Sequence, residues 1–278
     1  MAKILIAGCG KIGSALANVL AAKGHQVTGL KRKPPLSDSI NYVAADISSP
    51  AGLADLDTDF NQAFFIVSPD GRSEQSYRAV YETGLNNLLA KFPNAHWLMV
   101  SSTGVYAQSH GEWVDEDSAA EPDNITSRLI RQAEQRLIDA NPANVFVRFS
   151  GIYGPGREYL LRQAMQTPAI QQTPPYFTNR IHQQDCVGVL AFLLEQHLAG
   201  KTLAQCYLAS DDDPAPMWDV VSWLAEHLHC PPPTVKAVEA DAGMNKRCRN
   251  ARLKALGYRF RYPSYKDGYL ELISTRDD

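Results

Sequence analysis

The sequence lacks any stretch long enough to cross a membrane. Its longest apolar run, residues 187–194, is far shorter than the ~20 residues that span a bilayer. The amino terminus, MAKILIAGCG, reaches glycines at once and shows neither an extended hydrophobic region nor a cleavage site for a secretory signal. We therefore expect a cytoplasmic protein that does not act at a membrane.

The sequence also lacks an excess of charge of either sign. It carries 27 Lys and Arg against 30 Asp and Glu, which gives a formal net charge of −3. Nucleic-acid-binding domains usually show a basic patch, so we expect no nucleic-acid partner. Glycine and proline, 18 and 17 of 278 residues, are at average levels, which argues against a disordered chain.

Cysteine is scarce, and its spacing excludes two further classes of protein. The five cysteines are an odd number, widely separated, and without a C-x-x-C pair. Neither a disulfide framework nor a zinc site is expected, and we interpret all five as buried thiols. The sequence also lacks the Gly-x-Ser-x-Gly of serine hydrolases and the lysine motif of P-loop kinases.

What is present begins with a strand, a glycine motif and a helix. The run 3–7 is short and apolar, as in a buried strand, and Gly8-Cys9-Gly10-Lys11-Ile12-Gly13 follows it. Apolar residues then recur at helical spacing from 12 to 20, and a second strand is predicted over 26–30. The glycines thus lie inside a β-α-β unit of about thirty residues.

Strands and helices continue to alternate along the chain. Further strands are predicted over 42–45, 63–67, 97–100 and 144–149, and helices over 72–92, 125–140, 184–198 and 217–229. This alternation predicts an α/β protein with a Rossmann-type, doubly wound parallel sheet. Prolines cluster after residue 151, which indicates a smaller, more irregular C-terminal lobe. The predicted domains are 1–154 plus 181–209 for the Rossmann domain and 155–180 plus 210–278 for the lobe.

Each glycine of the motif has a physical reason in a dinucleotide-binding loop. Gly8 permits a tight turn, Gly10 lets the backbone approach a pyrophosphate, and Gly13 allows close packing of helix on strand. The start of the helix, at Lys11 and Ile12, supplies free N–H groups to the phosphates. The alternative is a set of turn glycines in an ordinary sheet protein, but the strand and helix on either side favour dinucleotide binding.

The end of the second strand bears on the choice of cofactor. NAD-binding domains usually place an acidic residue there to hold the ribose 2′-hydroxyl. This sequence has Lys31, Arg32 and Lys33 instead, and such cations suit a 2′-phosphate. The alternative is a solvated charge run on a loop. We predict NADP in preference to NAD.

Longer motifs resemble those of the extended short-chain dehydrogenase/reductases, in particular their NAD(P)-dependent epimerase/dehydratase group. The Ser-Ser-Thr-Gly-Val-Tyr of 101–106 looks like the family's active-site loop, and Gly-Glu-Trp-Val-Asp-Glu-Asp of 111–117 like the loop before its active-site helix. The Arg-x-x-x-x-Tyr-Gly-Pro-Gly-Arg of 148–157 and the Asn-x-Ile-His-x-x-Asp of 179–185 also match. The C-terminal stretch 246–258 resembles the C-terminal motif of the family. These motifs cover nearly the whole chain in the family's order.

The resemblance implies roles for individual residues. Asp46 and Ile47 would flank the adenine, Val67 and Ser68 would lie along the cofactor, and Ser150 would lie near the nicotinamide. Ser102 would be the catalytic serine that hydrogen-bonds a substrate oxygen. The remaining residues implied for the substrate pocket are Thr103, Tyr106, Tyr153, Arg157, Arg180 and His182. For His182, a structural hydrogen-bonding role is the favoured interpretation.

One part of the family pattern is missing. The family's catalytic Tyr-x-x-x-Lys is followed four residues later by Glu, and alignment on Glu134 puts Thr126 at the Tyr position and Ile130 at the Lys position. Neither residue transfers a proton near neutral pH. A Tyr262-x-x-x-Lys266 string occurs, but it contains a proline and lies in the predicted lobe, so we attribute it to chance.

Three explanations for the missing pair remain open. Another residue supplies the proton, with Tyr106, Tyr153, His110 and His182 as candidates. The chemistry needs little proton transfer. Or the chain is a catalytically silent NADP-binding regulator or sensor. We predict an NAD(P)-binding epimerase/dehydratase- or reductase-like enzyme acting on a nucleotide sugar or another small carbonyl or alcohol. A homodimer is compatible with the sequence.

Overall fold

The computed structural model describes residues 1–34, 40–238 and 243–275. The chain divides into two compact units, each built from three segments. Unit 1 comprises Met1–Val105, Glu121–Arg148 and Val187–Tyr207, and unit 2 comprises Tyr106–Ala120, Phe149–Cys186 and Leu208–Asp278. Residues 239–242 and 276–278 of the predicted lobe lie outside the described residues.

A seven-stranded parallel sheet organises the fold. Its strands are β1 (Lys3–Ala7), β2 (Gln26–Lys31), β3 (Asn41–Ala44), β4 (Gln62–Phe65), β5 (His96–Ser102), β7 (Val145–Phe149) and β12 (Cys206–Ala209). Their order is β12-β7-β5-β4-β1-β2-β3, so the chain leaves β1 to one side for β2 and later returns to its other side for β4. Ligands of open α/β sheets bind at such a switch point, beyond the carboxyl ends of the strands. The predicted Rossmann-type fold is confirmed.

The helices follow the predicted positions closely. They are α1 (Lys11–Ala22), α2 (Glu74–Tyr77), α3 (Leu85–Lys91), α4 (Ile125–Ala140), α5 (Tyr159–Ala164), α6 (Gln183–Leu198), α7 (Met217–His227), α8 (Ala251–Leu256) and α9 (Tyr265–Ser274). Helices α5, α8 and α9 were not predicted, and two further features differ from the prediction. The helical stretch expected over 72–92 contains a π-helical segment, Arg78–Gly84, between α2 and α3. The edge strand β12 was not predicted.

Unit 2 has a hydrophobic core of its own. Buried side chains from α5, α7 and α9 form it together with Tyr153 and Ile170. Short parallel or antiparallel strand pairs connect its loops: β8 (Gly151–Tyr153) with β11 (Arg180–His182), β6 (Glu112–Val114) with β15 (Lys246–Cys248), β9 (Ala169–Ile170) with β14 (Thr234–Val235), and β10 (Phe177–Thr178) with β13 (Ala215–Pro216). Unit 2 therefore has a packed interior built largely from helices.

The cysteines are free thiols, and four of the five are buried. Cys230 differs from the prediction because it is only half-buried, at the end of the turn that follows α7. Among the described residues, no group of three or more His, Cys, Asp or Glu side chains is arranged to hold a metal ion. None of the described helices is both long and apolar enough to cross a membrane.

Candidate functional site

The glycine loop of unit 1 connects β1 to α1 at the switch point of the sheet. Gly8 has a φ of +101°, and a Cβ placed on it would lie 2.6 Å from the backbone of Ile66. A Cβ on Gly13 would lie 2.2 Å from the carbonyl oxygen of Gly8. Both positions therefore exclude any side chain, and together they fold the loop tightly against β4.

Gly10 differs from these two glycines because nothing surrounds it. A Cβ at this position would meet no atom within 4 Å, so the fold itself does not demand glycine there. Gly10 caps α1 without any side-chain hydrogen bond, and the first turn of the helix contains no acidic residue. The helix thus presents its N–H groups and its positive dipole end to open space, which is the arrangement that binds phosphate. Lys11 is exposed, whereas Ile12 packs inward.

The cation run at the end of β2 is exposed. Arg32 makes a bidentate ion pair with Asp70, with Nη1 donating to Oδ2 and Nη2 to Oδ1. This pair raises the pKa of Arg32 and lowers the pKa of Asp70. Lys31 and Lys33 are likewise exposed. The guanidinium predicted to bind a 2′-phosphate is therefore engaged by a carboxylate.

The residues expected along the cofactor follow β3 and β4. The Asp46 carboxylate accepts hydrogen bonds from the Ser48 hydroxyl at 2.7 Å and the Ser48 N–H at 2.9 Å, which lowers its pKa. Ile47 is buried, and its Cδ1 would lie 2.6 Å from a Cβ at Gly84. After β4, residue 67 is half-buried and residue 68 is exposed.

Ser102 ends β5 and lies on the predicted active-site loop. Its Oγ accepts the N–H of Gly104 at 3.0 Å, which shapes the short 3₁₀ turn Thr103–Val105. Ser102 is half-buried and Thr103 is almost fully buried. The Ser102 hydroxyl therefore helps to fix the conformation of the loop through its contact with the Gly104 backbone.

A buried ion pair lies next to this loop in unit 1. Glu134 on α4 is fully buried, and Arg148 on β7 donates to it through Nε at 2.9 Å and Nη2 at 2.7 Å. The Ser101 hydroxyl, next to Ser102 in the chain, donates to the same carboxylate at 2.5 Å. These contacts connect α4, β5 and β7 at one point.

The two residues that alignment on Glu134 places at the family's catalytic positions, Thr126 and Ile130, lie on α4. Thr126 is half-buried, and its hydroxyl donates to the side chain of Asn124 at 2.8 Å. Ile130 is 7% exposed and packs as an apolar residue. Among the side chains of α4, these positions supply no phenol and no cation.

In unit 2, β8 and β11 pair in parallel, so that Tyr153 lies beside His182 and Gly151 beside Arg180. Tyr153 is buried, stacks on Tyr269 with ring centroids 4.4 Å apart, and has no hydrogen-bond partner for its hydroxyl among the described residues. Burial raises the pKa of Tyr153 well above its usual value.

His182 is also enclosed by aromatic rings. Its ring centroid lies 4.0 Å from that of Tyr262 and 5.2 Å from that of Tyr153. Burial lowers the pKa of His182 to about 4, so the ring is neutral at neutral pH. Its Nδ1 accepts the N–H of Gln184 at 3.3 Å. These contacts agree with the structural role that the sequence favoured.

A second charged group, formed by Arg180 and Asp211, lies in unit 2. Asp211 is 1% exposed, and within the described part of the chain its Oδ2 has no hydrogen-bond partner, as is also true of the Arg180 Nε. Burial raises the pKa of Asp211 and lowers that of Arg180, and each charge partly offsets the effect on the other. Two further buried polar atoms of unit 2, Ser150 Oγ and Gln183 Oε1, are unpartnered there as well.

The remaining predicted residues have different surroundings. The Tyr106 hydroxyl donates to the Asp115 carbonyl at 2.7 Å, and the Tyr106 carbonyl accepts from the buried Lys246 ammonium at 2.9 Å. Arg157 is exposed, and its N–H donates to the Gly154 carbonyl at 2.8 Å. His110 is exposed beside Glu112. The Tyr262 hydroxyl donates to Glu271 at 2.6 Å.

Sequence reasoning missed Asp211, Lys246 and Asp70. Asp211 opens a run of three aspartates, which in a sequence is typical of a solvated loop. Lys246 was noted only as part of a C-terminal motif, although it is 2% exposed and burial lowers its pKa. Nothing in the sequence connects Asp70 to Arg32. Their contact depends on the sheet, in which β2 and β4 lie on either side of β1 and both end on the carboxyl-terminal side.

Comparison with known proteins agrees with this architecture. No protein-family model matches the chain. A solved structure from Methylobacillus flagellatus, described as a candidate NAD-dependent epimerase/dehydratase, is 35% identical, with a TM-score of 0.85 over 100% of this chain and 99% of that one. The epimerase family protein SDR39U1 of Bos taurus is 30% identical over 69% of this chain and 70% of its own length. The chain belongs to the NAD-dependent epimerase/dehydratase family.

Other relatives of this epimerase/dehydratase family member carry different names. The 3-diazoavenalumate denitrifying reductase of a Streptomyces species is 26% identical over 96% of this chain and 98% of that protein. Two structures share the fold at lower identity: MoeE5 in complex with UDP-glucuronic acid and NAD (19%, TM-score 0.82, 99% of both chains), and human SDR39U1 with NADPH (20%, TM-score 0.77, 98% and 99%). The predicted resemblance to extended short-chain dehydrogenase/reductases is confirmed, and a nicotinamide cofactor is supported.

Proposed function

We propose that the protein binds NADP in preference to NAD at the glycine loop and is an enzyme of the epimerase/dehydratase or reductase type. Its substrate is a nucleotide sugar or another small carbonyl or alcohol. The observation that carries the proposal is the glycine loop: Gly8 and Gly13 are required by the fold, whereas Gly10 leaves open space over the first turn of α1. A backbone cradle of this kind at a helix N-terminus fits a pyrophosphate.

In this proposal, residues at several strand ends hold the cofactor. Gly8, Gly10, Lys11, Ile12 and Gly13 hold the pyrophosphate. Lys31 and Arg32 hold a 2′-phosphate, Asp46 and Ile47 flank the adenine, Val67 and Ser68 line the cofactor, and Ser150 faces the nicotinamide. When bound, the nicotinamide supplies the hydride acceptor or donor. The relatives that hold NAD or NADPH support the cofactor class, and the exposed cations after β2 support NADP.

The substrate then lies against Ser102, whose hydroxyl orients a substrate oxygen. The other residues proposed for substrate binding are Thr103 in unit 1 and, in unit 2, Tyr106, Tyr153, Arg157, Arg180 and His182. Support comes from the Tyr153 hydroxyl and Arg180 Nε, which lack partners among the described residues, since such buried polar groups mark sites where a ligand or water belongs. The Tyr106 hydroxyl already has a partner, so we propose packing for its side chain.

The proton donor is the least conventional part of the proposed reaction. Thr126 is far too weak an acid and Ile130 carries no charge. In unit 2, burial moves the pKa of Tyr153 upward and that of His182 down to about 4, away from neutrality in both cases. The buried Asp211 carboxyl moves in the useful direction, because a raised carboxyl pKa approaches neutral pH. We therefore add Asp211 to the candidate acids.

The Gly10→Val variant tests the cofactor site. We expect a folded protein that has lost dinucleotide binding, because a branched side chain fits the apo fold but fills the place of the pyrophosphate. The measurement is isothermal titration with NADP and NAD, with circular dichroism to verify folding. Gly243→Val is the matched control, since Gly243 is also unobstructed and lies in unit 2. Unchanged affinity in the Gly10 variant would remove the glycine loop as the site.

A catalytically silent NADP-binding regulator is the second candidate function. The specific observation in its favour is the Thr126 and Ile130 pair on α4. Single-turnover hydride transfer, followed at 340 nm with a panel of sugar nucleotides, separates the two candidates. An enzyme transfers hydride in the wild type, and the Thr126→Tyr, Ile130→Lys variant raises the rate. Tight cofactor binding with no transfer in either protein favours the regulator.

Three further expectations remain predictions within this proposal. They are the cytoplasmic location, the homodimer, and the division into a Rossmann domain of 1–154 plus 181–209 and a substrate lobe of 155–180 plus 210–278.

A further inference from the structure

Arg32 and Asp70 form a bidentate ion pair. Both terminal nitrogens of the guanidinium donate to the two oxygens of the carboxylate, although the side chains are 60% and 69% exposed. Two parallel N–H bonds to two oxygens are also the geometry with which Arg binds a phosphate. The Asp70 carboxylate therefore fills the same fork that a ribose 2′-phosphate would use.

The charges around Arg32 make the competition unequal for the two dinucleotides. Asp46 follows β3, and its carboxylate is near enough to both Arg32 and Asp70 for their charges to act on its pKa. A doubly negative 2′-phosphate brought to Arg32 meets two carboxylates that repel it. The neutral 2′-hydroxyl of NAD meets no such repulsion and leaves the Arg32–Asp70 pair intact.

We propose that Asp70 is a specificity-determining residue, whose carboxylate must be displaced from Arg32 before a 2′-phosphate binds there. The chain then discriminates less between NADP and NAD than three consecutive cations imply. This inference rests on the proposed function, since it requires the dinucleotide to bind at the glycine loop. The sequence analysis assigned the choice between NADP and NAD to cations at the end of β2 alone, and this inference adds a residue that follows β4.

The Asp70→Asn variant tests this inference by titration calorimetry with the full chain. The amide keeps the size of the side chain but removes the charge that holds Arg32. We expect the dissociation constant for NADP to fall roughly three- to tenfold, because exposed ion pairs are weak and the repulsion of the phosphate is also removed. The dissociation constant for NAD should stay within about twofold.

Two controls distinguish the effect of breaking the Arg32–Asp70 pair from the effect of removing a negative charge elsewhere. Asp57 makes an exposed ion pair with Lys3 at 3.1 Å. Lys3 begins β1, so this pair lies on the amino-terminal side of the sheet, away from the glycine loop. Asp57→Asn removes the same charge and should leave both affinities unchanged. In an Arg32→Ala background, Asp70→Asn should lose most of its effect on NADP, because the residue it releases is absent.

The possible results distinguish the inference from the proposed function. Stronger NADP binding in Asp70→Asn that depends on Arg32 supports the inference. Wild-type binding of both dinucleotides with an unchanged or weaker NADP affinity in Asp70→Asn overturns the inference and leaves the proposed function standing. Wild-type protein that binds neither dinucleotide overturns both.

Discussion

Two of the buried groups of charged residues that the structure describes, one around Glu134 and one around Asp211, differ in how completely they are hydrogen-bonded. In unit 1, Glu134 receives two hydrogen bonds from Arg148 and one from Ser101. In unit 2, the Asp211 Oδ2 and the Arg180 Nε have no partner among the residues that the structure describes. Both groups are taken out of water, which costs free energy for every charge.

This difference indicates what each group does. A fully hydrogen-bonded pair fixes the elements that carry it, and the Glu134 group connects α4, β5 and β7 beside the Ser102 loop. Each buried polar atom left without a partner costs about 1–3 kcal/mol, and native structures retain few of them. The Asp211 group therefore fits a place where a water or a ligand hydroxyl completes the bonding, whereas the Glu134 group is a structural support.

Breaking the satisfied group should have the largest effect. Arg148→Met removes the hydrogen-bonded counterion of the buried Glu134 carboxylate and leaves the partly exposed Arg131 Nη1, 3.6 Å away, as a weaker partner, so we expect a loss of about 3 kcal/mol in the free energy of unfolding. Urea denaturation measures it. Arg148→Met combined with Glu134→Leu is the matched control and should recover most of the loss, because no unpaired charge remains. A loss below about 1 kcal/mol in the single variant would show that the pair is not a support.

The contrast between the two groups also separates what the sequence predicts from what it does not. Local patterns predict the β-α-β start, because glycines between an apolar run and a helical period leave few other folds. Glu134 was identifiable as an anchor because it belongs to a motif. Its partners Ser101 and Arg148 were visible as motif residues, but their contact depends on strands distant in the sequence.

The sequence could not predict the Asp211 group for a related reason. Burial of one residue in an Asp-Asp-Asp run is set by tertiary packing around β11 and α9, not by its neighbours in the chain. The same holds for Asp70, which meets Arg32 only because β2 and β4 lie on either side of β1 and both end on the carboxyl-terminal side of the sheet. Resemblance to a family located the loops of the site, whereas the ionisation of residues within them required the structure.

A matched pair of hydroxyl deletions sharpens the comparison. Ser101→Ala removes a hydrogen bond to a buried carboxylate, and we expect it to cost about 1.5–3 kcal/mol of stability. Tyr153→Phe removes a hydroxyl that has no partner in the described part of the chain, so we expect no loss of stability and a gain of about 1–3 kcal/mol. Thermal and urea unfolding of both variants measure the difference. Equal losses would mean that the Tyr153 hydroxyl is also satisfied, by a bound water.

The effect expected at Asp211 depends on pH. Burial raises the pKa of this carboxyl, so the folded protein keeps the proton at pH values where the unfolded chain, with an ordinary aspartate pKa of about 3.9, has released it. The folded state then binds more protons than the unfolded state, and the contribution of Asp211 to stability falls as the pH rises above that ordinary value. The Asp211→Asn substitution mimics the protonated form and carries no such dependence.

We therefore expect Asp211→Asn to match the wild type in melting temperature near pH 4 and to exceed it increasingly as the pH rises toward 8. Asp70→Asn is the control of opposite sign, because Arg32 lowers the pKa of Asp70 and the charged carboxylate is favoured in the folded state. That variant should match the wild type at low pH and fall slightly below it at neutral pH, by little because the pair is exposed. If Asp211→Asn and the wild type keep the same difference at every pH, the Asp211 carboxyl ionises normally in the folded protein. A bound water or the Arg180 guanidinium then satisfies its charge, and the contrast with the Glu134 group disappears.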